Sequence, residues 1–297
     1  MPRYCPLPSY GCIEVRGADT ATFLNGQLSR SVDALDGSLA PLAGWHDPRG
    51  RVRALLRVAR RKDRWWLVTH SDVVAATAKR LAMFVLRAEV TIAPADDVRV
   101  AALLDADDAW LVARGVDPAT ATNGAAQSDE LVYVRLGPNV WHVIGPRAAV
   151  EPLGAALPSA PTEDALLAEI RLGLPTVSAP VVEHFVAQML NLDVLDAVSF
   201  DKGCYPGQEV IARVRHRGAV KRRLRLYASG AATPPAPGSP VVASADGTSV
   251  GEVVRAARAA AGVELLAVIE DAAATAGLAI DGVPLRELPL PYRVPTT

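Results

Sequence analysis

The chain has 297 residues; half are hydrophobic, 21% are charged, and the formal net charge at pH 7 is −1. This length exceeds the size at which one hydrophobic core usually keeps growing, so we expect two or three domains. The near-zero charge excludes a molecule that is attracted as a whole to nucleic acid or anionic lipid. No apolar run approaches the ~20 residues that span a bilayer, and residues 1–8 lack a signal-peptide core, so we expect a cytoplasmic protein without a membrane partner.

The first part of the chain alternates strand and helix patterns. Residues 13–16 read as a strand, and Asp19 is then placed to cap a helix that buries Phe23, Leu24 and Leu28. Residues 51–58 and 65–69 form the pattern of a β-hairpin. Apolar residues at helical spacing follow Ser71 and Asp72, either of which can cap this second helix; they are Val73, Val74, Thr77, Leu81 and Phe84.

The same order returns farther along the chain. Residues 131–136 and 140–144 predict a second hairpin, and a helix begins near Pro146. Trp66 and Trp141 fall in the second strand of each hairpin, which favours two related α+β halves. Two unrelated units of a common type would give the same pattern. After a linker at 229–238, short β-like runs at 240–243, 251–254 and 265–268 predict a small terminal β-barrel.

Three cysteines, Cys5, Cys12 and Cys204, form no CxxC pair and leave an odd thiol. This usage fits a reducing compartment and argues against a self-contained zinc or iron–sulfur site. We predict no functional role for Cys5 and Cys12, which lie in a proline-rich terminus and at a strand start.

The chemistry of the sequence is concentrated around Cys204. Gly203, Pro206 and Gly207 surround it, so the thiol is predicted to lie on a tight turn. A lysine two residues away, Lys202, would favour a nucleophilic or metal-binding thiolate. A buried and inert thiol is the alternative, and these residues alone do not decide between the two.

A basic segment follows the cysteine. From Lys202 to Arg225 there are eight Lys or Arg residues and one acid, Glu209. Alternation over 210–217 and again over 221–227 predicts two strands, each with a basic face. Such a face favours a polyanion, such as a poly-glutamyl tail, a phosphate group or RNA backbone. A solvated strand face that pairs with acids elsewhere in the fold is the alternative.

These residues resemble a known family. The run Lys202-Gly203-Cys204-Tyr205-x-Gly207-Gln208-Glu209, followed by Ala212-Arg213 and Arg217-Gly218-x-x-Lys221-Arg222, is similar to the signature of the YgfZ folate-binding family, relatives of the glycine-cleavage aminomethyltransferase. Further matches cover nearly all of the chain: Gly17-Ala18-Asp19, Phe23-Leu24-Asn25-Gly26-Gln27, Gly173-Leu174-Pro175, Phe185, Asn191-Leu192, Val198-Ser199-Phe200 and Pro289-Leu290-Pro291-Tyr292.

The resemblance implies an α+β fold in which three domains form a ring around a central hole for tetrahydrofolate. Two ferredoxin-like α+β domains would precede a C-terminal β-barrel. The implied limits are 1–45 with 120–225 for the discontinuous, folate-binding first domain, 46–119 for the second and 226–297 for the barrel.

The resemblance also implies a function. Members of this family look like folate-binding accessory factors for maturing or repairing iron–sulfur enzymes, including enzymes that modify tRNA. The partners would be folate and iron–sulfur client enzymes, with an indirect link to tRNA. The functional thiol would be Cys204, and the implied folate contacts are Tyr10, Asn25, Gln27, Arg171, Lys202, Tyr205, Gln208, Glu209 and Arg213.

Some positions depart from the family pattern. Arg53 and Ala54 stand where the transferase relatives use an acidic residue, so ordinary aminomethyl transfer is not expected. Tyr10 and Ala165 replace two tryptophans, and Arg171 replaces a glutamate that reads the pterin ring in relatives. The alternative functions are a folate-dependent one-carbon transferase, with Cys204 or a carboxylate assisting proton transfer, and direct tRNA binding by the basic strands.

Overall fold

The computed structural model describes residues 1–128, 130–217, 220–274 and 277–295, without the side chains of residues 216 and 217. Within these ranges the strands are β1 (Arg3–Pro6), β2 (Tyr10–Arg16), β3 (Leu42–His46), β4 (Val52–Arg61), β5 (Arg64–His70), β6 (Thr91–Pro94), β7 (Val98–Leu104), β8 (Ala125–Ser128), β9 (Leu131–Gly137), β10 (Val140–Pro146), β11 (Arg222–Ser229), β12 (Pro240–Ala243), β13 (Ser249–Ala259), β14 (Gly262–Glu270), β15 (Leu278–Ile280) and β16 (Val283–Leu288). The α-helices are α1 (Thr20–Gln27), α2 (Val74–Ala82), α3 (Asp108–Val112), α4 (Arg147–Ala156), α5 (Thr162–Arg171) and α6 (Gln208–Arg217). Single 3₁₀ turns lie at Ser71–Val73, Ala179–Val181, Ala187–Leu190 and Asp271–Ala273.

The first sheet has the antiparallel order β3-β4-β5-β2-β6. Its core includes Leu24 and Phe23 of α1 and Leu81 of α2, as the helical spacing predicts. Asp19 precedes α1 but does not cap it through its side chain; its Oδ2 instead accepts a hydrogen bond from the backbone N–H of Glu89, 2.8 Å away. That bond ties the start of α1 to the segment before β6.

The second sheet has the order β1-β7-β10-β9-β8. Its strands are antiparallel, and α4 packs on it through Val150, which lies in one core cluster with Trp141 of β10. Both predicted hairpins are therefore present, as β4–β5 and β9–β10.

The terminal β-barrel is confirmed. Strands β11-β14-β13-β12-β15-β16 close on themselves, so the sheet has no free edge. Its interior is apolar and includes Val241, Val253, Leu265 and Ile269. Helix α5 packs against the outside of β13.

A separate core lies between the three sheets. It combines Leu55 and Val68 of the first sheet with Val100 of the second and Leu266 of the barrel. The α+β class with a C-terminal barrel is thus confirmed, and the units meet through packed side chains.

Strand pairing crosses the expected limit between residues 45 and 46. The limit falls within β3, which pairs with β4, and β2 pairs with β5 across it. Strand β7 joins β8–β10 in the second sheet. The domain limits given above stay a prediction. Among the described residues, no helix has the length and apolar character needed to cross a bilayer.

Candidate functional site

Lys202 anchors the cysteine-bearing segment to the end of helix α1. Its Nζ donates to the carbonyl oxygens of Asn25, Leu28 and Arg30 at 2.5, 2.7 and 3.2 Å. The last carbonyls of a helix have no intrahelical donor, so a cation at this position is favourable. Burial lowers the pKa of Lys202 to about 8. Lys202 therefore holds the turn in place by bonds to backbone oxygens.

Gly207 docks the other end of the segment against the β3–β4 turn. It has φ +80°, and a Cβ at this position would lie 2.6 Å from the carbonyl oxygen of Asp47 and 2.7 Å from the Cα of Gly50. Gly50 itself has φ +75°. The Asp47 carboxylate shapes the β3–β4 turn by accepting the N–H groups of Arg49 and Arg51 at 2.9 and 2.8 Å. The backbone of the motif thus approaches a second turn more closely than a side chain allows.

Tyr205 points into the protein while Cys204 is exposed. The Tyr205 ring lies 6.3 Å from the imidazole of His46, centroid to centroid, and 5.2 Å from Nζ of Lys202. Burial raises the pKa of Tyr205 to about 12 and lowers the pKa of His46 to about 4. Cys204 is exposed, so the alternative of a buried thiol is wrong; it lies just before the turn at Pro206 and Gly207, and Cys5 and Cys12 are buried.

The segment after the motif is a helix, so the predicted strand at 210–217 is wrong. Helix α6 spans Gln208–Arg217 and buries Ile211, with Val210 and Val214 half-buried on the same side. Positions 210, 211 and 214 fit a period of 3.6 as well as the apolar positions 210, 212 and 214 fit a period of two. Gln208 starts the helix, and its Nε2 donates to the carbonyl oxygen of Lys202 at 3.4 Å.

Helix α6 also displays charged groups. Glu209 and Arg213 are exposed, and the exposed Arg215 places its guanidinium 4.0 Å from the ring centre of Phe200. Among the described side chains, Arg213 and Arg215 form no ion pair. The basic character of the segment therefore remains available on this helix.

The arginines of β11 are paired with acids. This agrees with the alternative interpretation of the basic strand, a solvated face that pairs with acids elsewhere in the fold. Arg222 bonds Glu270, Arg223 lies 2.7 Å from Asp193, and Arg225 bonds two carboxylates. Strand β11 covers most of the predicted strand at 221–227. Arg222 and Arg225 thus bond acids of the barrel region itself, whereas Arg223 ties β11 to the segment that carries Asp193.

A buried polar group lies where the three sheets meet. The carboxylate of Glu169 accepts a hydrogen bond from Tyr10 Oη at 2.6 Å, bonds His142 Nε2 at 2.7 Å and pairs with Arg255 Nη1 at 2.8 Å. These four side chains come from α5, β2, β10 and β13. Burial acts to raise the pKa of Glu169, but Arg255, His142 and Tyr10 hold it at about 2. The carboxylate is therefore ionised and joins all three sheets.

Tyr10 also lines cavities at this junction. The smaller cavity, about 30 Å³, is bordered by Arg57 and His142. A second cavity, of about 130 Å³, is bordered by Ser9 and Ser178, whose buried hydroxyl oxygens have no described hydrogen-bond partner. A third, of about 560 Å³, opens between β2 and β7.

The sequence-predicted site residues fall into three places. Asn25 and Gln27 lie on α1, next to the group of Lys202, Tyr205 and Gln208, and Glu209 and Arg213 lie on the adjoining helix α6. Tyr10 lies at the junction, and Cys204 lines none of the three cavities there.

Arg171 lies apart from both places. Its guanidinium makes two hydrogen bonds to Glu264 of β14, at 2.8 and 2.7 Å, on the outside of the barrel. Its assignment as a folate contact stays a prediction, as do the other assigned contacts.

Sequence reasoning missed Glu169, His142, Arg255 and Arg57. Their partners are distant in the chain, so no local pattern brings them together. The useful signal was a charged residue on the buried face of α5, two positions before Arg171.

Comparison with known proteins places the chain among relatives. No protein-family model matches it. It is 31% identical over 253 residues to the tRNA-modifying protein YgfZ of Cronobacter sakazakii, which covers 79% of this chain and 74% of the relative. It is 30% identical over 242 residues to the YgfZ protein of Sodalis glossinidius, covering 78% and 73% of the two chains.

The fold has a solved counterpart. The structure of aminomethyltransferase T of the glycine cleavage system from Bartonella henselae matches with a TM-score of 0.76 at 14% identity, over 98% of this chain and 86% of that one. The fold is therefore that of the glycine-cleavage T-protein. Together with the two relatives that reach 30% identity, the observations show that the chain belongs to the YgfZ family.

Proposed function

We propose that this chain is a tetrahydrofolate-binding accessory factor that helps to mature or repair iron–sulfur enzymes, including enzymes that modify tRNA, and that it acts through Cys204. The observation that carries the proposal is the exposed thiol on a short segment fixed at both ends, by Lys202 and by Gly207. Relatives that bear the name of a tRNA-modifying protein support the link to tRNA.

The junction pocket offers the groups that a pterin ring needs. Tyr10 supplies an aromatic ring, Leu166 and Val254 supply apolar walls, and Ser9 and Ser178 supply two unpartnered hydroxyls. Its volume of about 130 Å³ is below the ~300 Å³ at which drug-sized ligand pockets begin, so these residues fit the ring end of the molecule only. Tetrahydrofolate, when bound, supplies a carrier for one-carbon units.

The fixed turn suits Cys204 to covalent or metal chemistry. Because the backbone on both sides is docked, presenting the thiol to a client costs little loop entropy at each encounter. The thiol can engage a thiol, a metal ion or a carbon adduct presented by a client enzyme, and it would do so as the thiolate.

The residues at β4 speak against the transferase alternative. Where the transferase relatives carry an acid, Arg53 donates to Glu183 at 2.6 Å and lies 5.5 Å above the ring of Trp45. An ion-paired guanidinium does not accept a proton, so it cannot act as a base there. The paired arginines of β11 likewise favour an indirect link to tRNA over direct binding by that strand.

The binding part of the proposal is tested by calorimetric titration of the full chain with tetrahydrofolate and folinate. We expect saturable binding that Cys204→Ala leaves unchanged and that Ser178→Leu, which fills the junction pocket, weakens at least tenfold. Ser239→Leu, on a loop outside that pocket, is the control for folding. Absence of heat beyond dilution with either ligand would remove folate from the proposal.

A further inference from the structure

The junction contains more positive than negative charge. Two guanidiniums, those of Arg57 and Arg255, lie in the field of one carboxylate, that of Glu169. Arg255 pairs with Glu169 directly, whereas Arg57 forms no ion pair with any described acid. Among these three groups the excess is one positive charge.

Arg57 is buried with part of its hydrogen-bonding capacity unused. Only 4% of the residue is exposed. Its Nη1 donates to the carbonyl oxygen of Ala40 at 2.7 Å and to Oδ1 of Asn123 at 2.9 Å, and no described acceptor lies at its Nε or Nη2. Burial lowers the pKa of Arg57 to about 10, which leaves the guanidinium charged at neutral pH. A buried charge without a counter-charge is costly, by several kcal/mol for a single ion.

The guanidinium borders a cavity of matching size. This cavity measures about 30 Å³ and is also lined by Tyr10, His142 and Glu169. About 10–15 Å³ of such cavity space holds one water molecule, so this cavity holds about two to three non-hydrogen atoms. A water molecule fits but leaves the charge unbalanced.

We propose that the cavity beside Arg57 binds one small monovalent anion, of the size of chloride or formate. The anion accepts hydrogen bonds from the free N–H groups of Arg57 and brings the charge of the junction to zero. Larger anions such as gluconate do not fit. Because Tyr10 and Glu169 join three sheets around the same cavity, bound anion stabilises the folded chain. The inference does not depend on folate binding.

The test uses the line width of ³⁵Cl in nuclear magnetic resonance of the full chain at neutral pH, with chloride replaced by gluconate at constant ionic strength. We expect a saturable excess line width that formate displaces and gluconate does not. Arg57→Met removes the buried charge and keeps most of the side-chain volume, and it leaves the Ala40 carbonyl oxygen and Asn123 Oδ1 without this donor. It should lose the excess width, whereas Arg258→Met, at an exposed position on β13, should keep it.

A thermal readout accompanies the line widths. Chloride in excess should raise the Tm of the wild type by about 2–4 °C relative to gluconate, and should leave the Tm of Arg57→Met unchanged. Equal line widths in the wild type and Arg57→Met would overturn the proposal. If Arg57→Met does not fold, the wild type decides alone: absence of a formate-sensitive line width overturns the site.

Discussion

Gly207 and Gly203 flank the same cysteine but face different surroundings. A Cβ on Gly207 would meet backbone atoms of Asp47 and Gly50 at under 3 Å, whereas a Cβ on Gly203 would meet nothing within 4 Å. The two glycines therefore differ in their structural roles. Gly207 permits the close approach of two turns, whereas the space beside Gly203 would accept a side chain.

Substitution of these two glycines is a matched pair. We expect Gly207→Ala to lower the free energy of unfolding by about 1–3 kcal/mol or more, because alanine adds both a strained φ and a contact with backbone. Gly203→Ala should change it by no more than about 0.5 kcal/mol. Urea unfolding measures both, and the rate of thiol labelling at Cys204 reports whether the turn has moved. Equal stability of the two variants would contradict the docking.

His46 gives the motif a dependence on pH. Burial lowers the pKa of His46 to about 4, from an ordinary 6.5, so the unfolded chain binds a proton more readily than the folded chain between these values. The stabilisation is complete above pH 6.5 and is lost as the pH falls toward 4. Tyr205 and Asp47 are the titratable neighbours of the imidazole, and Lys202 lies on the Tyr205 ring.

Replacement of the imidazole isolates this contribution. We expect the free energy of unfolding of the wild type to fall between pH 6.5 and pH 4 by up to about 3 kcal/mol more than that of His46→Leu. Urea unfolding at pH 7.5, 5.5 and 4.5 gives the difference at each pH. If the two proteins keep a constant difference over this range, His46 does not take up a proton on unfolding.

At the scale of elements, the sequence predicts those parts in which pattern and packing agree. The strand before α1, both hairpins, α2 and the barrel strands each show one clear period. The apolar positions of α6 fit both a strand period and a helix period, so the sequence alone does not separate the two. The burial of Ile211 decides for the helix. The Gln188 Nε2 also donates to the Ile211 carbonyl oxygen at 2.7 Å.

The sequence predicts that Cys204 lies next to a turn, but it only partly predicts the contacts of Lys202 and Gly207 that fix this segment. Glycine and proline on both sides indicate a turn. The sequence places Lys202 beside the thiol. In the structure its ammonium instead donates to backbone carbonyl oxygens at the end of α1, which lie 172 or more residues earlier in the chain. Such pairing depends on tertiary structure and has no local signature.

For the whole molecule, Glu169 and Arg171 provide a contrast within one helix. Glu169 is buried and joins three sheets, whereas the Arg171–Glu264 pair is partly exposed and joins α5 to the barrel surface. We expect Glu169→Gln to lower the free energy of unfolding by about 3–5 kcal/mol, since it leaves Arg255 buried without a counter-charge.

The control for this prediction lies two residues away. Arg171→Gln should cost no more than about 1 kcal/mol, because exposed ion pairs contribute little. Urea unfolding compares the two variants. Similar losses would mean that the junction does not hold the sheets together. The lower pKa of Glu169, about 2, also predicts that its contribution is present above pH 4.5 and is lost as the pH falls toward 2.

The measurement that tests the account most directly is complementation of a strain that lacks its own YgfZ protein, read as the amount of a tRNA modification made by an iron–sulfur enzyme. The wild-type chain and Cys5→Ala, which changes a buried thiol, should restore the modification. Cys204→Ala, with an unchanged Tm and unchanged folate titration, should not. Full restoration by Cys204→Ala would contradict the assignment of this thiol as the acting group.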